Sequence, residues 1–241
     1  MSKIALVTGA NKGIGFETAR QLAQAGIHVI LASRDGAKGA AAVQKLKAEG
    51  LDVEALTLDV NESASIEAAV KSVASKHGRL DILINNAGVG IADGSKKVSE
   101  QKMDTWRRTF DTNVFGLIAV TQAFLPLLEK SDAGRIVNLS SILGSITLHS
   151  DPKSPIYNYK VPAYNVSKSA VNAWTVQLAY ELKDSKIKVN AVHPGHVKTD
   201  MGGPTAPMEL VDGAKTGVAM ALIGPDGPNG SYQHMGQKLP W

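Results

Sequence analysis

Tyr164 and Lys168 stand four positions apart in the stretch "YNVSK", on a run patterned as a helix from near residue 162. Residues at i and i+4 share a helix face, so the phenol and the ammonium can present their heads to a single site. An unperturbed phenol titrates near pH ~10, and a neighbouring cation favours the phenolate and lowers that value. The pair therefore has the makings of a tuned acid. The same spacing also describes a half-buried tyrosine beside a lysine that reaches for water. A second stretch, "VTGANKGIG" at 7–15, joins a β-branched run to a helical pattern. Gly9, Gly13 and Gly15 let the backbone turn tightly and approach a pyrophosphate seated at a helix N-terminus, where amide N–H groups and the dipole favour anions. Between a first strand and a first helix, such a trio points to a phosphate-bearing nucleotide.

The choice of nucleotide falls at the end of the second strand. An acid there would bind a ribose 2′-hydroxyl, but "ILASRD" places Ser33 at the strand tip and Arg34 just beyond it. Arg34 offers a planar fork for a 2′-phosphate, and Lys12 from the glycine loop adds a point charge. The expected cofactor is NADP, as NADPH.

These groups need a scaffold, and the hydrophobic patterning describes one. Strands are expected at 4–8, 28–33, 53–57, 80–85, 135–140, 188–193 and, briefly, 231–233; helices at 14–25, 37–49, 63–77, 104–128, 163–182 and 209–221. Alternation of this kind predicts an α/β doubly wound Rossmann fold: a seven-stranded, mainly parallel sheet with helices on both faces, forming a single domain over 1–241. Two stretches break the rhythm, 146–163 and 194–208. Both follow strands, so both belong at the carboxyl edge of the sheet, where such folds bind ligands.

Composition narrows the rest. A chain of 241 residues, 44% hydrophobic, is long enough to bury a substantial core. The absence of cysteine excludes disulfides, thiolate metal sites and a cysteine nucleophile, and suits a reducing compartment. The N-terminal residues enter a strand-like run without a signal-peptide pattern, and the apolar run 114–128 is short for a bilayer and carries Thr121, Gln122 and Pro126. A cytoplasmic protein without a membrane partner is expected. Net charge is +4 and the pI about 9.1, but the basic residues are scattered rather than striped, which points away from nucleic acid and suits a polyanionic small molecule.

Taken in order and spacing, "TGANKGIG" (8–15), "NNAG" (85–88), Asn113, "NLSS" (138–141), "YNVSK" (164–168) and "HPGHVKTDM" (193–201) resemble the short-chain dehydrogenase/reductase family over essentially the whole chain. Within it, "GANKGIG", "SRD" and the tail "GPNGSY" (227–232) resemble the NADPH-dependent carbonyl reductases. The resemblance implies that Tyr164 is the general acid in carbonyl reduction. It implies that Lys168 lowers the tyrosine pKa and holds the nicotinamide ribose. By the S-x-x-G register to Gly144, it implies that Ser141 hydrogen-bonds the substrate oxygen while Ser140 is structural. Asn113 would interrupt its helix and hold a water in the proton relay. Cofactor contacts are implied for Gly9, Asn11, Lys12, Gly13, Ile14, Gly15, Ser33, Arg34, Asp59, Val60, Asn86, Ala87, Gly88, Tyr164, Lys168, Pro194, Gly195, Val197 and Thr199, with Asn85 and Gly88 steadying the central strands.

No metal site is expected, because His193 and His196 flank a Pro-Gly turn with no third ligand nearby in the sequence. Ser141 and Tyr164 are farther apart than in the family's simplest members, and the excess, about 146–162, is expected to hang over the catalytic site. The expected function is NADPH-dependent reduction of an aldehyde or ketone, a small-molecule carbonyl substrate, by a monomer or homo-oligomer. The alternatives are a secondary alcohol dehydrogenase working oxidatively and a non-catalytic dinucleotide sensor.

Overall fold

The computed structural model describes residues 2–95 and 97–241. Five parallel strands lie side by side: β1 (Ile4–Val7), β2 (His28–Ser33), β3 (Val53–Thr57), β4 (Ile82–Asn85) and β5 (Arg135–Leu139). To these the chain adds β6 (Lys188–Val192), β7 (Ser231–His234) and β8 (Gln237–Lys238). The order across the sheet is β3-β2-β1-β4-β5-β6-β7-β8, every pairing parallel except β7 with β8. The expected fold class holds, with one strand more than expected. The extra strand is a two-residue hairpin return, Gln233 opposite Lys238 and His234 opposite Gln237, across a turn at Met235 and Gly236, both with positive φ. So short a polar strand carries no hydrophobic alternation by which a sequence could announce it.

Strand alternation sends side chains to two cores. Leu6, Ile30, Leu83, Ile136 and Val189 meet α3 (Ser63–His77) and the apolar face of α5 (Leu117–Leu128). Ala5, Val7, Val29, Leu31, Ile82, Ile84 and Val137 form the opposite core, with Leu22 of α1 (Gly13–Gln24) and Val43 and Leu46 of α2 (Gly36–Ala48). Residues that are central on both faces read as continuous apolar runs because neither face meets water. The order reverses between β1 and β4, so their carboxyl ends diverge and leave a crevice.

One expected helix, 104–128, is divided. It runs as α4 (Met103–Phe110), a π-helical turn over Asp111–Gly116, and α5. By length and composition, this 26-residue run could cross a membrane, and half of its apolar window is buried inside this fold. A widened turn of this kind opens the regular hydrogen-bond ladder and often marks a functional position. The stretch expected to be irregular, 146–163, contains a short helix, α6 (Ile146–Ser150), and turns, before α7 (Pro162–Glu181). The last helix is α8 (Leu210–Ala221).

Candidate active site

The glycine loop between β1 and α1 is built for a close approach. Gly9 and Gly13 both have φ of 61°, a left-handed conformation that side-chain-bearing residues seldom adopt. A Cβ at Gly9 would stand 2.9 Å from the Ala87 backbone, and one at Gly15 would strike Asn86 Nδ2 at 2.3 Å. Asn86 locks the loop in place: its Nδ2 donates to the carbonyls of Thr8 (2.8 Å) and Gly9 (3.1 Å). Thr8 completes the clamp, its Oγ1 accepting from the backbone N–H groups of Asn86 and Ala87, each at 3.0 Å. Thr8 opens the motif "TGANKGIG", but the motif by itself assigns it no role. The signal that could have found it is its place as a hydroxyl residue at a strand end beside the first glycine. The N-cap of α1 is Lys12, whose side chain makes no capping bond, so Asn11, Lys12, Gly13 and Ile14 surround a helix N-terminus that a phosphate would suit. These features fit a dinucleotide.

The 2′-phosphate candidates separate in the fold. Arg34 is exposed and lines a cleft of about 440 Å³ with Val60, Asn61, Ile66, Val89 and Thr112. It has no ion-pair partner among the described residues. Lys12 instead pairs with Asp200, 2.5 Å away on the loop after β6, and both side chains are largely in water. Ser33 is turned inward. Only 1% exposed, it donates to the Asp35 carbonyl at 3.0 Å and lies against Gly39, so its side chain does not face the crevice. Period-2 alternation decides this, because the last residue of β2 belongs to the face covered by α2. Asp59 accepts from the Asn61 N–H at 3.0 Å and shapes the turn that delivers Val60 to the cleft.

Beyond β4, Asn85 points into the protein and donates to Thr121 Oγ1 and Asn138 Oδ1, each at 2.9 Å. Asn138 Nδ2 donates in turn to Thr175 Oγ1 at 2.9 Å. Asn85 and Asn138 are register partners on neighbouring strands, and this buried polar ladder ties α5, β4, β5 and α7 together. Gly88 faces the crevice: a Cβ there would lie 3.3 Å from Asn113 Oδ1 and 3.7 Å from Lys168 Nζ.

The four expected catalytic residues converge. Asn113 sits inside the π-helical turn, 1% exposed, its Oδ1 accepting from the Val89 N–H (2.8 Å) and its Nδ2 donating to the Val89 carbonyl (2.9 Å) and Ser167 Oγ (3.0 Å). With its side chain fully engaged, the amide itself anchors the strand-like segment after β4. Ser141 caps a 3-10 turn, Ile142–Gly144, by accepting from the Leu143 N–H at 3.2 Å. Gly144 explains the spacing that singled Ser141 out: a Cβ there would meet the Lys168 backbone at 2.8 Å, so only glycine lets the turn cross α7 this closely. Ser140 donates to Asn172 Oδ1 at 2.6 Å and is buried away from the crevice, a structural position.

Tyr164 and Lys168 share the inner face of α7. The ammonium lies 5.7 Å from the centre of the phenol ring and donates to the Leu139 carbonyl at 2.7 Å. Burial lowers its pKa to about 8. For the phenol, the expected direction is reversed: burial raises Tyr164 above its ordinary 10, while a hydrogen bond with Ser141 pulls it back down. The Lys168 ammonium directs its hydrogen bond at the Leu139 carbonyl.

The loop after β6 folds back over the glycine loop. Gly195, with φ of 99°, lets the chain turn under Met208. Val197 bridges to Met208 and is packed so tightly that a Cβ on Gly213 would lie 2.6 Å from it. Thr199 accepts from the Gly202 N–H at 2.9 Å and approaches Gly13, while Pro194 leads the chain out of the sheet. His193 and His196 do not converge on a ligand set. Burial, with smaller contributions from the nearby His234 and His196, lowers the His193 pKa to about 3, and His196 contacts the Gly202 carbonyl at 2.8 Å.

A glycine-loop crevice beside a serine, tyrosine and lysine on adjoining elements defines a class, and comparison with known proteins agrees. A profile of the short chain dehydrogenase family matches residues 3–210, and the chain belongs to that family of oxidoreductases. It is 34% identical to carbonyl reductase [NADPH] 1 of Mus musculus over 99% of this chain and 98% of that protein. It is 31% identical to (+)-neomenthol dehydrogenase of Capsicum annuum, over 96% of this chain and 95% of that protein. Among solved structures, NADPH-bound carbonyl reductase from chicken fatty liver superposes with a TM-score of 0.86 at 27% identity, covering 100% of this chain and 99% of that one.

Proposed function

We propose that the protein reduces an aldehyde or ketone to the alcohol with NADPH, Tyr164 giving the proton to the carbonyl oxygen. The observation that carries this reading is the convergence of Ser141, Tyr164 and Lys168 beside the uncapped start of α1 and its glycine loop. NADPH, when bound, supplies the hydride. The crevice residues each have a part that follows from their chemistry. Ser141, already hydrogen-bonded to the phenol, orients the substrate oxygen. Tyr164, with its raised pKa, is fully protonated at neutral pH and so is in the form that donates. Once the proton leaves, the phenolate keeps the Ser141 hydrogen bond and gains the field of the Lys168 ammonium, which is charged below pH about 8. Lys168 swings from Leu139 to the ribose hydroxyls, and Asn113, its neighbour across Gly88, lies on the side from which the proton is restored.

Arg34, exposed and unpaired among the described residues, takes the 2′-phosphate. Lys12 joins it by leaving Asp200, at little cost because exposed ion pairs contribute at most about 1 kcal/mol. Ser33 matters by not being an acid. The names of the mammalian and avian relatives support NADPH. The stretch 146–162 forms one wall of the substrate pocket, a reading supported by its ties to the neighbours of Ser141 and Tyr164: His149 lies 3.1 Å from the Leu143 carbonyl, and Asn165 donates to the Tyr159 carbonyl at 3.1 Å.

The test is purified protein offered NADPH or NADH with a panel of aldehydes, ketones, diketones and quinones, together with Tyr164→Phe. The variant should lose about 10²- to 10⁴-fold in turnover with NADPH affinity nearly intact. Turnover within tenfold of wild type would remove Tyr164 from the role of acid.

A further inference from the structure

At the end of the sheet away from the glycine loop, three side chains from three elements meet. His28 opens β2, Glu54 lies on β3, and His77 closes α3. Ile30 and Glu54 are register partners, so alternation puts His28 and Glu54 on the same face, the one that α3 covers. His77 Nε2 lies 2.8 Å from Glu54 Oε1, and His28 Nε2 lies 3.9 Å from the same oxygen. The ligand-capable atoms of all three residues fall within 4.8 Å of one another. All three side chains are largely buried, with exposures of 17 to 24%.

Two details go beyond an ordinary ion-pair cluster. His28 Nε2 is buried and has no hydrogen-bond partner among the described residues, a position that asks for an explanation. His28 Nδ1 is 2.9 Å from Asp52 Oδ1. An ionised carboxylate only accepts, so Nδ1 carries a proton, and in the neutral ring the orphaned Nε2 is the nitrogen with the lone pair, on the side of Glu54. A carboxylate behind a histidine whose other nitrogen faces an acid and a second histidine is the outer-shell arrangement of metal sites.

We propose that His28 Nε2, Glu54 Oε1 and His77 Nε2 bind one divalent transition-metal ion of the Zn²⁺ class, leaving a fourth position to water. A tetrahedral ion with bonds of about 2.0–2.1 Å holds its ligands roughly 3.4 Å apart. The 2.8 Å pair must open and the 3.9 Å pair must close by about half an ångström each. On binding, the proton that His77 Nε2 shares with Glu54 moves to His77 Nδ1, so the ring ligates as a neutral imidazole and no electron is transferred. Lys76, 55% exposed and 3.0 Å from Glu54 Oε2, opposes the ion by its charge and competes for the carboxylate. The ion would clasp the edge strand β3 and its neighbour β2 to the end of α3, so it stabilises the fold rather than the chemistry of the crevice.

The experiment uses untagged full-length protein stripped with chelator, titrated with Zn²⁺ by calorimetry and with Co²⁺ by visible absorption. Expected are one saturable ion per chain, a tetrahedral Co²⁺ spectrum, and a Tm that rises with Zn²⁺ concentration. His28→Gln, Glu54→Gln and His77→Gln should each weaken binding at least tenfold, and Asp52→Asn by about 10- to 100-fold. Lys76→Ala, at an exposed position that leaves the core untouched, should tighten binding, whereas loss of a merely structural ion pair would leave metal affinity where it was or lower it. The proposal is overturned by the absence of saturable binding, by affinity in the three ligand variants equal to that of wild type, or by Lys76→Ala failing to tighten it.

Discussion

Replacing Lys168 with methionine separates what the buried ammonium does for stability from what it does for function. In the folded chain, its pKa is about 8 against an ordinary 10.5, with burial as the cause. At about 1.36 kcal/mol per pH unit, the gap is a penalty of roughly 3 kcal/mol on the charged form. Below pH 8 the lysine is protonated in both folded and unfolded chains, and the penalty is fully present. Between pH 8 and 10.5 the folded chain sheds the proton first, the unfolded chain binds more, and stability rises with pH. Above 10.5 both are neutral and the penalty is gone. Lys168→Met lacks this dependence, but leaves the Leu139 carbonyl without its 2.7 Å donor, a loss of about 1–3 kcal/mol. Near pH 7 the two effects nearly cancel and the variant should match or modestly exceed wild type. Near pH 10 wild type should be ahead, the difference between the two having moved by about 2–3 kcal/mol. Urea unfolding of both proteins across that range measures it, since groups common to both cancel. Parallel curves would show that Lys168 is not desolvated as the structure indicates. On the functional side, NADPH at about 100 times its Kd should stabilise wild type by ~2.7 kcal/mol and the variant by much less.

Four further outcomes follow from the same geometry. Arg34→Ala should cut the preference for NADPH over NADH about ten- to a hundredfold, with kcat/KM for NADH spared and the wild-type preference shrinking at higher salt; equal loss with both cofactors would make Arg34 a surface charge. Asp200→Asn frees Lys12, and NADPH should bind up to about fivefold tighter, the range open to an exposed ion pair. Gly144→Ala forces a methyl against the Lys168 backbone, and should cost about 1–3 kcal/mol in chemical unfolding while lowering kcat, because Ser141 and Tyr164 are moved apart. Shortening 146–161 to a tight turn should shift relative kcat/KM among carbonyl substrates more than it shifts NADPH affinity; an unchanged substrate profile would make the segment surface only.

The parts legible in the sequence are those set by neighbours along the chain. The strands of the sheet are β-branched runs, the glycine loop is a local backbone conformation, and Tyr164 and Lys168 share a face because an α-helix repeats every 3.6 residues. The S-x-x-G register by which the resemblance chose Ser141 over Ser140 runs through Gly144, where a Cβ would stand 2.8 Å from the Lys168 backbone of α7. What tertiary structure alone decided are relations between elements. Which way Ser33 points depends on which face of β2 is covered by α2. Lys12 and Asp200 lie 188 positions apart and meet only because the loop after β6 folds over the glycine loop. The Asn85–Asn138 ladder needs the register of β4 on β5, and His28, Glu54 and His77 need β2, β3 and the end of α3 in their final places. The reversed shift at Tyr164 has the same origin: sequence spacing puts an ammonium one turn away, but only the fold determines how much water surrounds the phenol and where the ammonium's hydrogen bond goes, and desolvation outweighs the Ser141 hydrogen bond.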